Sequence, residues 1–160
     1  MDISPKTSRG HHPKDPQVVK YVLLIQEPRG TRAVLLENHL CTVGRRQSNT
    51  ICIANNFVSR NHAYLVRVAL PNQQGYTYTL YDGDIDNQFK PSANGVFVNG
   101  QRIKEHTLSP GDVIHFGPAV QAVFHPIKEG SEPNLFADIH TEQVQPLQIP
   151  INTEITGHPL

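Results

Sequence analysis

The amino-acid sequence predicts an all-β protein, either an antiparallel sandwich or a barrel. Short apolar or alternating runs follow one another through the middle of the chain. Turn signals separate these runs at intervals of roughly 8–12 residues, which is typical of both architectures. No stretch has the length and periodicity of an amphipathic helix.

The first half of the chain contains five predicted strands. Each is a short run rich in aliphatic or β-branched residues, and turn residues such as those of Pro28-Arg29-Gly30 separate the runs. The predicted strands are Tyr21–Ile25, Arg32–Leu36, Leu40–Val43, Thr50–Ile53 and Ala63–Val68.

The second half continues the pattern. Tyr76–Tyr81 alternates ring and hydroxyl residues, as a half-buried strand does. Gly95–Gly100 predicts a strand that runs into an Asn-Gly turn, which is the strongest short hairpin signal. Val113–Phe116 and Val120–Phe124 complete the set of predicted strands.

The length of 160 residues suits one domain with two tails. Residues 1–19 contain several prolines and no periodic apolar pattern, so we expect a flexible leader. Residues 20–127 carry the strand-like runs and form the predicted domain. Residues 128–160 contain acidic residues, repeated prolines and no Lys or Arg beyond Lys128, which predicts an acidic and mostly disordered tail.

Composition disfavours several classes of function. Lys+Arg 14 against Asp+Glu 14 gives a net charge of +0, so we expect no nucleic-acid partner. No apolar run approaches the roughly 18 residues of a membrane span, and the leader lacks a signal-peptide pattern. We therefore expect a cytoplasmic protein with no membrane contact. The sequence has no phosphate loop, nucleophile elbow or zinc-ligand spacing, so we predict no enzyme, no metal and no cofactor.

The two cysteines, Cys41 and Cys52, lie inside predicted strands. Buried free thiols in a reducing compartment are the preferred interpretation. A disulfide between neighbouring strands is the alternative, and sequence alone does not support it.

Short polar clusters lie at the ends of the strand-like runs. They are Gly44-Arg45, Ser59-Arg60-Asn61-His62, Ser92-Ala93-Asn94-Gly95 and Asn99-Gly100. The clusters supply guanidinium, hydroxyl and amide donors with almost no carboxylate. A phosphate dianion binds several converging N–H and O–H donors, so the pattern predicts a local anion site.

Over about residues 20–127 these clusters resemble the forkhead-associated (FHA) domain, in a small free-standing bacterial type. The resemblance implies a β-sandwich of about 10–11 short strands with its binding loops at one end. It also implies an adaptor that binds phosphothreonine peptides in Ser/Thr kinase signalling. The expected partners are a phosphothreonine-containing protein or peptide and a Ser/Thr kinase or its substrate.

By this resemblance, five residues bind the phosphopeptide. The family's arginine and serine contact the phosphate, roles that fall to Arg45 and Ser59. The family often has a residue that touches the phosphopeptide at the position of Arg60, and its asparagine before glycine holds the peptide backbone, a role that falls to Asn94. Ser92, in the same loop as Asn94, is the fifth predicted contact.

Five further residues are expected to support the loops. Gly44 allows a close backbone approach, and Gly95 permits a tight turn. His62 is similar to a family residue that braces the loops through ring hydrogen bonds. Asn99 and Gly100 close a turn and tie loops together, without ligand contact.

The sequence departs from the family pattern at Ala93, where the family usually has threonine. Losing one neutral hydrogen bond costs about 0.5–1.5 kcal/mol, or roughly tenfold in affinity at most. This departure keeps an alternative open, namely an FHA-like scaffold that binds a protein partner, or itself, independently of phosphate. A further hypothesis is that a phosphorylated Thr141, with Val144 three residues later, makes the chain's own tail a ligand.

Overall fold

The structure is a computed structural model that describes residues 19–128. These residues form eleven β-strands and no helix, which confirms the all-β prediction. The predicted leader up to residue 18 and the tail from residue 129 lie outside the described residues. The strands are β1 Val19–Glu27, β2 Gly30–Leu36, β3 Leu40–Gly44, β4 Ile51–Cys52, β5 Ala63–Ala69, β6 Tyr76–Asp82, β7 Val96–Val98, β8 Gln101–Ile103, β9 Glu105–Thr107, β10 Val113–Phe116 and β11 Gln121–Lys128.

The strands form two sheets, and the β-sandwich expected from the family resemblance is confirmed. One sheet has the order β2-β1-β11-β10-β7-β8, and the other has the order β4-β3-β5-β6-β9. Strand pairs are antiparallel except β3 and β4, which pair in parallel through Val43 opposite Ile51. The second sheet is therefore mixed, because the chain returns to the edge of β3 after the loop of residues 45–50.

The core lies between the sheets and is filled by alternate residues of the long central strands. Leu23 and Ile25 of β1, Leu65 of β5 and Phe124 of β11 are fully buried in it. Tyr78 is also fully buried, and its hydroxyl bonds the carbonyls of Leu36 and Asn38 at 3.2 and 2.9 Å. This packing fixes the strand ends from which the polar loops emerge.

The sequence analysis did not predict two of the strands, β8 and β9. Both β8 and β9 have three residues, mostly polar and exposed, so they carry no periodicity to detect. They form because β8 pairs with β7 after the Asn99-Gly100 turn, and β9 pairs with β6. In contrast, β11 is longer than predicted and includes Pro126. Strand β10 pairs with β11 only as far as Val123, so a residue without a backbone N–H is tolerated there.

Both cysteines are free thiols, as preferred from the sequence. Cys41 is buried, whereas Cys52 is half-buried and lies beside the backbone of Arg45. Within residues 19–128 no helix has the length and apolarity needed to cross a bilayer.

Candidate functional site

A depression of about 520 Å³ lies at one end of the sandwich, where three loops meet. The loops are residues 45–50 after β3, residues 53–62 between β4 and β5, and residues 83–95 between β6 and β7. Its lining contains four cations, Arg45, Arg46, Arg60 and Lys90, and one carboxylate, that of Asp84.

The charges around the depression are not balanced. None of the four cations forms an ion pair with another residue of the segment 19–128. The Asp84 carboxylate is already engaged, because Asn61 Nδ2 donates to its Oδ2 at 2.8 Å and the Asp86 N–H donates to its Oδ1 at 3.0 Å. The depression is therefore a positively charged site with free donors.

The first loop is held directly against the second. The backbone N–H of Arg45 donates to the Ser59 carbonyl at 3.0 Å, and that of Arg46 to the Arg60 carbonyl at 3.1 Å. A β-carbon at Gly44 would collide with the Arg60 carbonyl and lie 2.8 Å from Asn49 Nδ2. Glycine is therefore required at position 44 for the close approach that the sequence predicted.

The Arg45 side chain is oriented by one of its own donors. Its Nε donates to the carbonyl oxygen of Val58 at 3.3 Å. The terminal guanidinium nitrogens keep their N–H donors, which suit a bidentate contact with a phosphate.

Asn49 joins the two arginine-bearing loops, and sequence analysis missed it. It is a buried polar residue, 9% exposed, and its Nδ2 donates to the carbonyls of Arg46 and Arg60 at 2.9 and 2.7 Å. An asparagine in a polar loop resembles an ordinary turn residue, so its partner eleven residues away left no signal in the sequence.

Ser59 links the second loop to the third. Its Oγ accepts the backbone N–H of Ala93 at 2.9 Å. A hydroxyl has one donor and two acceptor positions, so the Ser59 O–H is still available to donate to a ligand.

His62 braces the same two loops from beneath and is 0% exposed. Its Nδ1 accepts the Ser59 N–H at 2.9 Å, and its Nε2 lies 2.9 Å from the Gly95 carbonyl. A carbonyl only accepts, so the proton is on Nε2 and the ring is neutral. Burial lowers the pKa of His62, while the Gly95 hydrogen bond and the charge of Asp82 oppose this shift.

Asn94 and Gly95 shape the third loop. Asn94 Nδ2 donates to the Phe57 carbonyl at 2.7 Å, so its Oδ1 is free to accept from a ligand N–H. Gly95 has a φ of +80°, and a β-carbon there would lie 2.9 Å from Arg102 Nε. The positive φ of this turn favours glycine, and the flexible Arg102 side chain would also have to move for a larger residue.

The structure brings Arg45, Ser59, Arg60 and Asn94 together at the depression, but it does not bring Ser92 there. Ser92 is 6% exposed, and its N–H donates to Asp82 Oδ1 at 3.2 Å. Its Oγ has no hydrogen-bond partner among the described residues. The Ser92 hydroxyl is thus buried in this structure, and its contact with a phosphopeptide stays a prediction.

Asn99 and Gly100 lie at the β7–β8 turn, away from the depression. Their φ angles of +50° and +82° match a two-residue hairpin turn. The Asn99 amide donates to Asp112 Oδ1 at 2.9 Å and accepts from the Val113 N–H at 3.0 Å. Asp112 also bonds His106 and the Ser109 N–H, so this cluster ties the loops of the opposite end.

The lining includes cationic and amide residues that the sequence did not predict as ligands, notably Arg46 and Asn61. Arg46 follows Arg45 directly, so the second arginine of the pair was the available signal. Within residues 19–128 no group of three His, Cys, Asp or Glu side chains is placed to hold a metal ion.

Residues 41–117 match the family model described as the FHA domain. The matched segment contains every loop of the depression, and this part of the chain is an FHA domain. FHA domains are binding modules, so the site is a candidate ligand-binding site.

Three similar proteins extend this comparison. The crystal structure of the Slr1951 protein from Synechocystis is 39% identical with a TM-score of 0.60, covering 66% of this chain and 96% of that one. The crystal structure of the FhaA FHA domain complexed with the intracellular domain of Rv3910 is 25% identical with a TM-score of 0.51, covering 66% of this chain and 99% of that one. The uncharacterized protein sll1895 of Synechocystis is 34% identical over 107 residues, which are 67% of this chain. The chain spans 15% of the length of that curated relative.

Proposed function

We propose that the depression binds the phosphate of a phosphothreonine-containing peptide or protein. On this proposal the chain acts as an adaptor in Ser/Thr kinase signalling in the cytoplasm, and its partners are a kinase or the substrate of one. The observation that carries the proposal is the set of four cations around one depression without ion-pair partners in the described segment. A phosphate dianion satisfies such a set, whereas an unmodified hydroxyl offers it no charge.

Each ligand role follows from the donors that the loops leave free. Arg45 contacts the phosphate through its terminal guanidinium nitrogens, because its Nε is held by the Val58 carbonyl. Ser59 donates its O–H to a phosphate oxygen, because the bond from the Ala93 N–H uses an acceptor position and leaves the donor free. Asn94 accepts from the peptide backbone through Oδ1.

The outer cations extend the same site. Arg60 and Lys90 are exposed and line the depression, so they neutralise the ligand with smaller desolvation costs than a buried charge would bear. Arg46 adds a guanidinium next to Arg45. A structurally similar FHA domain, that of FhaA, was solved in complex with the intracellular domain of Rv3910, which supports a protein ligand for this domain.

The chain's own tail is one ligand of this class. Val144 lies three residues after Thr141, and a phosphate on Thr141 would supply an anion for the cations of the depression. A synthetic peptide of residues 137–148, with and without phosphate on Thr141, tests this in solution. Binding of the phosphorylated form alone supports it. Absent binding of both forms excludes the tail as a ligand, and equal binding of both forms would make the tail a phosphate-independent ligand, as the scaffold alternative expects.

An oriented peptide library tests the proposal as a whole. The chain is presented with phosphothreonine, phosphoserine and unphosphorylated pools of otherwise equal composition. We expect capture from the phosphothreonine pool and none from the unphosphorylated pool. Capture that is equal in all pools, or partner binding that survives phosphatase treatment, would instead support the phosphate-independent scaffold.

A further inference from the structure

The six-stranded sheet has an apolar outer face over its two long interior strands, β1 and β11. Leu23 and Phe124 of these strands belong to the core between the sheets. Side chains alternate along a strand, so Val22, Leu24 and Val123 point to the opposite, outer face. Leu24 lies opposite Val123 across the β1–β11 pair, so these side chains form one continuous patch.

These outward side chains are nevertheless buried. Val22 is 0% exposed, Leu24 3% and Val123 8%. Burial also lowers the pKa of His125, which lies opposite Val22 in the sheet. Val66 of β5 is the matched case in the other sheet, because it also points away from the core and has paired strands on both sides, yet it is half-buried. Strand neighbours alone therefore do not account for the complete burial of Val22.

Within residues 19–128 no strand crosses this outer face. All eleven strands belong to the two sheets, and the five-stranded sheet packs against the inner face. The three loops of the depression lie at one end of the sandwich. These observations leave the segments before residue 19 and after residue 128 as candidates for a cover supplied by the same chain.

We infer that the tail folds back over the outer face of β1 and β11 and docks there through residues 135–139. An extended chain advances about 3.3 Å per residue, so the eight residues from Lys128 to Phe136 span up to about 26 Å. Val123 lies only about 17 Å back along β11 from Lys128, so the segment reaches the apolar patch with length left for a turn. Residues 135–139 contain the first apolar cluster after β11, namely Leu135, Phe136 and Ile139. Packing this cluster on the patch removes apolar surface of both from water.

Charge and composition favour the tail over the leader as the cover. The outward residues on the strands of this sheet, within the described segment, include Lys20 and Arg102 and no Asp or Glu. Residues 129–160 contain acidic residues and no Lys or Arg, whereas residues 1–18 contain cations and few apolar side chains. An acidic segment with an apolar cluster therefore complements this face. Docking needs no phosphate, so the inference goes beyond the proposed function and does not depend on it.

NMR spectroscopy of the full chain with labelled methyl groups tests the contact directly. We expect nuclear Overhauser contacts from the Phe136 ring to the methyl groups of Val22, Leu24 and Val123. Phe136→Ser should shift these methyl signals, because the ring no longer lies against them. The methyl signals of Val66, on the outer face of the other sheet, should stay unchanged in the same variant.

Ile3→Ser is the matched control, because it removes an apolar side chain from the leader instead of the tail. It should leave the methyl signals of Val22 and Leu24 at their wild-type positions. Shifts caused by Ile3→Ser and not by Phe136→Ser would assign the cover to the leader and overturn the inference. Contacts that form only between differently labelled chains would assign it to a second copy, with the same consequence. Absence of any contact from the Phe136 ring to this face would also overturn it.

Discussion

The Ser59 hydroxyl accepts a hydrogen bond from the backbone N–H of Ala93 at 2.9 Å, across 34 positions of sequence. The bond involves the backbone of Ala93, so the missing side-chain hydroxyl does not loosen the connection between the second and third loops. Alanine at position 93 therefore removes one side-chain donor to a ligand, and the geometry of the second and third loops is kept. The Ser59 O–H donor takes no part in this bond and is available to a ligand.

The Ala93→Thr variant, which introduces a side-chain hydroxyl at position 93, should strengthen binding. Ala93 is exposed and lines the depression, so the larger side chain of Ala93→Thr has access to solvent and to the ligand. We expect its affinity for a phosphothreonine peptide to rise by up to about tenfold, because one neutral hydrogen bond is added. Calorimetric titration of both proteins with the same peptide measures the change. Weaker binding by Ala93→Thr would contradict this prediction, because it would show that the larger side chain clashes with the ligand.

Removing the Arg45 guanidinium should weaken phosphopeptide binding strongly. Arg45→Ala loses charge-assisted hydrogen bonds to the phosphate, and we expect a loss of roughly ten- to hundredfold in affinity. Lys128→Ala is the charge-matched control, because this exposed lysine ends β11 far from the depression. Calorimetry should show wild-type affinity for the control variant. An unchanged affinity of Arg45→Ala would place the phosphate elsewhere.

Asn49→Ala should reduce both stability and binding. The variant loses the two side-chain hydrogen bonds to the carbonyls of Arg46 and Arg60, at a combined cost of about 1–3 kcal/mol. We expect the Tm to fall by roughly 5–15 °C. Binding should fall too, because both arginine-bearing loops lose their common anchor. Gln47→Ala, which removes an exposed amide from the same loop, should change neither the Tm nor the affinity.

His62 makes stability depend on pH in a definite direction. Burial lowers the pKa of His62 below its ordinary 6.5, so the unfolded chain binds the proton more readily. Its contribution to the free energy of unfolding is therefore complete above about pH 6.5 and is lost as pH falls towards the folded pKa. Protonation also places a second N–H against the Ser59 N–H, which breaks that hydrogen bond.

Urea unfolding at about pH 7.5 and about pH 5.5 measures this dependence, and His62→Gln should show a smaller difference between the two pH values. Proton NMR should find the His62 ring neutral, with its proton on Nε2, at neutral pH. A His62 pKa above 6.5 would contradict the bracing role assigned to the neutral ring.

The sequence predicted the fold class and the loops that form the depression, because both depend on local patterns. Alternation in runs such as Tyr76–Tyr81 indicates strands, and polar clusters at strand ends indicate loops. It did not predict the role of Asn49, because that role depends on a partner distant in sequence. Ser92 shows the same limit, because its residue type does not indicate that its N–H bonds Asp82 or that its side chain is buried.

The central claim is that binding at the depression requires phosphate. Its most direct test is calorimetric titration of one library-selected peptide in three forms, with phosphothreonine, phosphoserine or unmodified threonine. The account predicts saturable binding of the phosphothreonine form and at least about hundredfold weaker binding of the unmodified form. Equal affinity for the phosphorylated and unmodified forms would contradict it and leave a phosphate-independent scaffold as the function of this site.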